Sequence, residues 1–286
     1  MSEQKYYLPE PSHWPLVGSL GLFTTTLGFA LNPHNPSILM YIGLAIIIFM
    51  FFGWFGTVIR ESEAGKYNAQ VDTTFRMAMM WFIFSEVMFF AAFFGALFYA
   101  RQLSVPWLAG EGNNAMTNEL LWKGFSESWP LLNTPDPTKY PAPKEVIPAT
   151  GIPLLNTILL LSSSVTVTFA HHALKAGKRG ALNFWLLITV VLGFTFLGFQ
   201  IHEYAEAYQH LNLKLSSGIY GTTFFMLTGF HGLHVTIGAT ILTIILLRCL
   251  KGHFRPDHHF GFEAAAWYWH FVDVVWVGLF IFVYWI

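Results

Sequence analysis

Seven long apolar blocks, separated by polar or proline-containing segments, constrain this chain more than any other feature. A helix needs about 20 largely apolar residues to cross the hydrocarbon core of a bilayer. Runs such as residues 46–52, Ile-Ile-Ile-Phe-Met-Phe-Phe, lack the alternation that the strands of a membrane β-barrel show. Because lipid offers no partner to backbone groups, each block is predicted to be a helix. The predicted spans are residues 14–31, 38–59, 75–100, 152–174, 181–204, 219–247 and 262–286.

Composition supports the same fold class. Hydrophobic residues make up 54% of the 286 residues and charged residues only 11%, whereas a soluble domain is about 25% charged. The predicted fold is therefore all-α, a polytopic membrane protein with seven transmembrane helices. A net charge of −1 provides no basic surface for nucleic acid. The single cysteine, Cys249, excludes a disulfide or a cysteine metal cluster within the chain.

Prolines and charges indicate how the spans are organised. Pro33 and Pro36 bracket a short turn, so the first two spans are predicted to form a hairpin domain of residues 1–60. Residues 61–286 are predicted to form a five-helix bundle, with an ordered but irregular extramembrane loop at residues 101–151. Most Lys and Arg residues fall on the side of the N-terminus. The positive-inside rule therefore places the N-terminus on the cytoplasmic or matrix side and the C-terminus opposite.

Glu86 is an ionisable residue at the centre of the third span. Placing such a group there costs about 2.5–3.5 kcal/mol, so its side chain is expected to face protein rather than lipid. Desolvation favours the neutral carboxylic acid, because the residues three and four positions away are all apolar. These neighbours are Phe82, Ile83, Phe89 and Phe90. Two interpretations are open: a carboxyl group that forms a hydrogen bond across a helix interface, or a group that collects and transfers protons.

Histidines form the second set of candidate residues. His231 and His234 share one face of the sixth span, and His270 shares a face of the seventh span with Asp273. We predict that these four form a structural polar network that joins the two spans. A metal site would need further histidines at the same depth, whereas the others stand at the ends of spans. Those others are His171, His172, His258 and His259. The sequence therefore predicts neither a metal site nor a catalytic residue in this chain.

Cations and aromatic residues meet at the cytoplasmic ends of two spans. Arg60 ends the second span and Arg248 ends the sixth, at the same predicted membrane level. Long cationic side chains reach the interface in many membrane proteins without binding a partner. The alternative is a site for an anionic phospholipid, with charged groups at the head group and aromatic rings along the acyl chains. The predicted lipid-binding residues are Trp54, Phe55, Arg60, Glu61, Phe82, Phe90 and Arg248.

Several stretches of the sequence resemble the subunit III family of cytochrome c oxidase. The most specific are residues 228–235, Thr-Gly-Phe-His-Gly-Leu-His-Val, and the long run 258–276, which includes Phe-Glu-Ala-Ala-Ala-Trp-Tyr-Trp-His-Phe-Val-Asp. The other stretches are residues 11–16, 60–62, 85–87, 152–157, 170–172 and 218–225. The resemblance covers nearly the whole chain apart from the loop at 101–151.

The resemblance implies a fold, a set of partners and several site residues. Family members have seven helices, arranged as two plus five around a cleft that holds phospholipids. They carry no haem or copper, and they pack on the haem-bearing subunit I, with subunit II in the same complex. Glu86 matches the family's buried glutamate, and its lipid head-group residues match Arg60, Glu61 and Arg248. A family histidine that follows the Arg-Glu pair is replaced here by Tyr67 or Asn68.

The family also implies a function. The complex passes electrons from cytochrome c to dioxygen and pumps protons, with haem and copper in partner subunits. This subunit would stabilise subunit I, hold phospholipids and support proton uptake. Because catalysis then belongs to another chain, the resemblance favours the structural interpretation of Glu86. It also favours a bacterial plasma membrane over the mitochondrial inner membrane.

Two other classes of function are alternatives. The histidines could serve a self-sufficient, metal-dependent membrane oxidoreductase, which would hold iron or copper in the isolated chain. A proton or solute transporter centred on Glu86 is the second alternative. The sequence shows neither the repeated halves nor the paired interrupted helices that are typical of transporters.

Overall fold

The computed structural model describes Tyr7, residues 10–33 and residues 35–286. The first residues of the predicted hairpin domain, 1–6 and 8–9, lie outside this part. The described residues form helices and connecting segments, without a β-strand among them. The helices are α1 Trp14–Leu31, α2 Ile38–Glu63, α3 Ala69–Tyr99, α4 Val105–Leu108, α5 Ala115–Leu121, α6 Ile152–Lys175, α7 Arg179–Gln209, α8 Gly218–Leu250 and α9 Phe260–Leu279, with π-helical segments at Ala100–Ser104 and Phe280–Trp285.

Within the described residues, seven helical segments are long and apolar enough to cross a membrane. They coincide with the seven predicted spans, so the predicted fold class is confirmed and the chain is a multi-pass integral membrane protein. Several helices are longer than the apolar pattern suggests: α3 begins at Ala69 rather than residue 75, α7 continues to Gln209 rather than residue 204, and α2 ends at Glu63 rather than residue 59. These helices continue beyond the apolar block into polar residues, where hydropathy no longer predicts a helix.

The chain divides into two compact units, residues 1–77 and 78–286, with the boundary inside α3. In the first unit, α1 and α2 form the predicted hairpin and pack with their backbones close together. A Cβ atom added at Gly28 would lie 2.4 Å from the backbone nitrogen of Met40, and one at Gly43 would lie 2.3 Å from the Thr25 hydroxyl. Glycine is needed at both positions because small residues allow membrane helices to approach closely.

The second unit is organised around α9. Trp269 and Trp276 are fully buried, and each donates its indole N–H to a hydroxyl on α6. The acceptors are Ser163, at 2.9 Å, and Thr157, at 3.0 Å. A buried indole needs such a partner because an unpaired N–H in an apolar interior is costly. These two bonds fix the face that α9 presents to α6.

The loop of residues 101–151 folds against the connection between α7 and α8. The backbone N–H of Lys144 donates to the carbonyl of Leu211 at 2.8 Å, and the Asn212 side chain donates to the carbonyl of Ala142 at 3.1 Å. Leu131 is buried in an apolar cluster with residues of α7 and α8. Apart from the π-helical segment Ala100–Ser104 and the short helices α4 and α5, the loop is irregular. The segment is thus folded with little regular structure, and its extramembrane position stays a prediction.

Candidate functional site

The central polar feature of the second unit is a contact between Glu86 on α3 and His234 on α8. Glu86 Oε2 lies 2.7 Å from His234 Nε2. The Glu86 side chain is 22% exposed and that of His234 is 11% exposed. Aromatic rings surround the pair, since the His234 ring lies 5.0 Å from Phe90 and 6.4 Å from Tyr268. The carboxyl group expected to face protein therefore does so.

The second nitrogen of His234 shows how many protons the contact with Glu86 contains. His234 Nδ1 is 2.6 Å from the carbonyl oxygen of Phe230, and a carbonyl can only accept, so Nδ1 carries a hydrogen. The contact between His234 Nε2 and Glu86 then needs one more proton, bound either to the carboxyl or to the imidazole. In both forms the pair has no net charge. The contact is thus a one-proton bridge between two helices.

The predicted histidine network divides into separate contacts. His231 Nε2 lies 3.2 Å from the carbonyl oxygen of Val272 on α9, which is the expected link between the sixth and seventh spans. His234 instead contacts Glu86, and His270 Nδ1 lies 2.7 Å from the Ser164 hydroxyl on α6. Asp273 lies 3.7 Å from His270. The prediction of one network was wrong because these side chains face three different neighbouring helices.

A second buried carboxyl group, that of Glu203, is not among the residues predicted from the sequence. It lies in α7 and is 1% exposed. Tyr284 donates a hydrogen bond of 2.7 Å to Glu203 Oε1, and Gln200 donates one of 3.3 Å to the same oxygen. Glu203 is an ionisable residue inside an apolar span, the same feature that identified Glu86 in the sequence. It stands near the end of the predicted span, where charged residues are common, so its position alone does not predict burial.

One group of side chains converges at the ends of α6 and α9. A ring nitrogen of His171, a ring nitrogen of His259 and a carboxylate oxygen of Glu263 all lie within 4.8 Å of one another. Two of the histidines that the sequence places at the ends of spans thus meet here, while the absence of a metal site stays a prediction. Glu263 was overlooked as a partner, although it follows His259 by four residues, a spacing that places both on one helical face.

The predicted lipid residues of the first unit lie near the end of α2. Trp54 and Phe55 are exposed, and Arg60 donates a hydrogen bond of 3.2 Å to the Thr57 hydroxyl. The Glu61 carboxylate accepts a hydrogen bond of 2.8 Å from Tyr67. Burial and the adjacent carboxylate raise the pKa of Tyr67 above its usual value. Tyr67 therefore remains a neutral hydrogen-bond donor to Glu61.

The predicted lipid residues of the second unit differ in their exposure. Phe82 is 47% exposed and remains available to an acyl chain. Phe90 is 3% exposed, because its ring packs against His234 and Phe271 in the core. Phe90 is therefore removed from the lipid-binding set. The Arg248 guanidinium stacks on the Phe254 ring, with 4.2 Å between the guanidinium carbon and the ring centroid.

Comparison with known proteins gives consistent matches along the chain. The family model described as Cytochrome c oxidase subunit III matches residues 4–115 and 120–286. The protein named Cytochrome c oxidase subunit 3 from Branchiostoma lanceolatum is 45% identical over 282 residues. Proteins of the same name from Marchantia polymorpha and Rattus norvegicus are 43% and 42% identical over 284 residues. Each alignment covers 98% of this chain and 96% of the relative.

Proposed function

Because the chain belongs to the cytochrome c oxidase subunit III family, we propose that it supports the oxidase complex without catalysis of its own. It stabilises the haem-bearing subunit I, holds phospholipids and helps to keep proton uptake fast. Subunit I is its main contact, subunit II belongs to the same complex, and cytochrome c is the substrate of that complex. Haem and copper are held by the partner subunits.

The contact between Glu86 and His234 is the observation that carries this proposal. A carboxyl group in the middle of a span is the most conspicuous candidate for chemistry in this chain. Its partner is a histidine of another helix, and the pair shares one proton without net charge. Such a bridge holds α3 against α8 and suits a supporting role, since interhelical polar contacts stabilise membrane bundles.

Glu86→Gln separates the structural role from proton collection. The glutamine amide can still donate to His234 Nε2, so the bridge between α3 and α8 is kept while the titration of residue 86 is removed. We expect the variant complex to assemble and to oxidise cytochrome c at the normal rate from acidic to alkaline pH. A normally assembled Glu86→Gln complex whose rate falls at alkaline pH, where protons are scarce, would show that Glu86 collects protons. Glu86→Leu, which breaks the bridge, should lower the amount of assembled complex.

Removal of the whole subunit tests the wider proposal. An oxidase without this chain should still reduce dioxygen with electrons from cytochrome c, because its redox centres lie in other subunits. We expect a lower rate at alkaline pH and a faster loss of activity during turnover. Equal rates and equal turnover lifetimes with and without the chain would contradict the supporting role. Complete loss of activity in an otherwise intact complex would contradict the absence of catalysis in the chain.

The orientation of the chain is part of the proposal. The cations Lys175, Lys178 and Arg179 surround the connection between α6 and α7, and they support placing that connection and the N-terminus on the cytoplasmic or matrix side. The proposed location is a bacterial plasma membrane rather than the mitochondrial inner membrane. Cysteine replacements can test the orientation, since the native Cys249 is buried. An impermeant maleimide added to intact cells should label Lys123→Cys in the long loop and should not label Lys178→Cys.

A further inference from the structure

The cluster of His171, His259 and Glu263 lies apart from the bridge between Glu86 and His234. His171 is near the C-terminal end of α6, His259 immediately precedes α9, and Glu263 lies in the first turn of α9. The three possible ligand atoms lie within 4.8 Å of one another. The cluster therefore joins the end of one span to the beginning of another through side chains that can all bind metal ions.

The two histidines present ring nitrogens with no partner. Within the described part of the chain, Nε2 of His171 and Nε2 of His259 are buried and make no hydrogen bond. His259 Nδ1 lies 3.2 Å from the carbonyl oxygen of Arg255. Because that oxygen can only accept, Nδ1 carries the hydrogen and Nε2 keeps its lone pair. Metal-binding histidines are oriented in this way, with the second ring nitrogen donating to a carbonyl or carboxylate.

The surroundings also fix the rings. The His171 ring lies 5.3 Å from the His259 ring at an interplanar angle of 64°, and 5.5 Å from the Phe262 ring. Two buried imidazole nitrogens without a partner are unfavourable, because each nitrogen has lost its hydrogen bond to water. A cation bound by both nitrogens removes this cost. The carboxylate of Glu263 supplies the negative charge that such a cation needs.

We propose that His171, His259 and Glu263 form a binding site for a divalent transition-metal ion, with Zn²⁺ as the best match. Two imidazoles and one carboxylate are a common zinc ligand set with one position left for water. Mg²⁺ and Ca²⁺ fit less well because they take six or more oxygen ligands. The site is separate from the supporting function proposed above, and it holds α6 to α9 when the ion is bound.

Binding requires a small closure of the cluster. In a tetrahedral site with metal–ligand bonds of about 2.0–2.1 Å, ligand atoms are about 3.4 Å apart. Atoms that are now up to 4.8 Å apart reach that separation when the side chains shift by about 1 Å. The positive charge of Lys175 disfavours a second positive charge at His171, so it also opposes the binding of a cation there. We therefore expect reversible binding rather than a permanently held ion.

The test uses the intact oxidase complex that contains this chain. After removal of loosely held metal with a chelator, the complex is dialysed against Zn²⁺, and zinc per complex is measured. We expect His171→Asn and His259→Asn to bind one zinc ion fewer than the parent complex, and Glu263→Gln to bind zinc about tenfold more weakly or worse. His172→Asn and His258→Asn are the matched controls, since each removes a neighbouring exposed histidine and should leave zinc binding unchanged.

Locating the zinc ion in the parent complex tests the proposed site even if a variant fails to assemble. Anomalous scattering at the zinc absorption edge from the zinc-treated parent complex should place a peak between the His171 and His259 rings. Equal zinc binding by the parent complex and both asparagine variants would overturn the proposal. So would a zinc-saturated parent complex without an anomalous peak at this position.

Discussion

The hydroxyl of Tyr284, near the C-terminus, donates a hydrogen bond of 2.7 Å to the buried carboxyl group of Glu203 on α7. Glu203 is 1% exposed, so no solvent can replace this donor. The bond joins the π-helical segment at the end of the last span to a helix 81 residues earlier in the chain. It is a second interhelical contact made by a carboxyl group inside the bundle, besides the bridge between Glu86 and His234.

Tyr284→Phe should destabilise the second unit. The substitution keeps the ring and removes only the donor, which leaves a buried carboxyl oxygen without its main partner. We expect a loss of about 1–3 kcal/mol in the free energy of unfolding, measured by thermal or denaturant unfolding of the detergent-solubilised protein. Tyr208→Phe is the control because Tyr208 is exposed. Equal stability of the two variants would mean that the hydroxyl of Tyr284 contributes nothing measurable.

Two glycines of α8 should respond differently to the same substitution. A Cβ atom at Gly238 would lie 2.9 Å from the Trp269 ring, whereas one at Gly232 would meet no heavy atom within 4 Å. Gly238→Ala should therefore cost about 1–3 kcal/mol, because the rigid indole is held by Ser163 and cannot move away. Gly232→Ala should be neutral, or stabilising by up to about 1 kcal/mol through helix propensity. A comparison of thermal unfolding temperatures measures the difference, and the opposite order would refute the packing described for Trp269.

Glu86 should be the favoured site of labelling by a hydrophobic carbodiimide. This reagent attacks a protonated carboxyl group in apolar surroundings, and the Glu86 side chain is 22% exposed while Glu203 is inaccessible. His234→Phe should accelerate the labelling, because the carboxyl then keeps the proton that it shares with the imidazole. Peptide mass spectrometry after a timed reaction gives both results. Preferential labelling of Glu203, or slower labelling in His234→Phe, would contradict the one-proton bridge.

Two arginines should influence the phospholipid that co-purifies with the protein. Arg60 follows the exposed rings of Trp54 and Phe55, and Arg248 ends α8. We expect Arg60→Gln and Arg248→Gln each to lower the amount of bound anionic phospholipid, and the double variant to lower it further, because each substitution removes a cation that can bind a phospholipid head group. Lys139→Gln in the extramembrane loop is the control for a change in charge alone. Unchanged lipid content in the double variant, measured by lipid mass spectrometry, would place the lipid elsewhere.

The helices could be predicted from the sequence because their cause is local. Each span is long and apolar, and lipid requires its backbone to form hydrogen bonds within the same segment. The same reasoning identified Glu86 as a polar group that must face protein. It could not identify the partner, since His234 is 148 residues away in the chain. The predicted partner of His234 was His270, whose ring instead contacts the hydroxyl of Ser164.

The sequence by itself determined the class of fold, the number of spans in the described residues and the family. These follow from hydropathy, which acts on each segment alone, and from residue patterns that need no coordinates. Only the tertiary structure decided that Phe90 is buried while Phe82 is exposed, that Gly238 is crowded while Gly232 is not, and that His171 meets His259 and Glu263. An apolar span gives little indication of which face meets which neighbour, because lipid and protein interior are equally apolar. That choice is made by close packing and by a few polar bonds between distant helices.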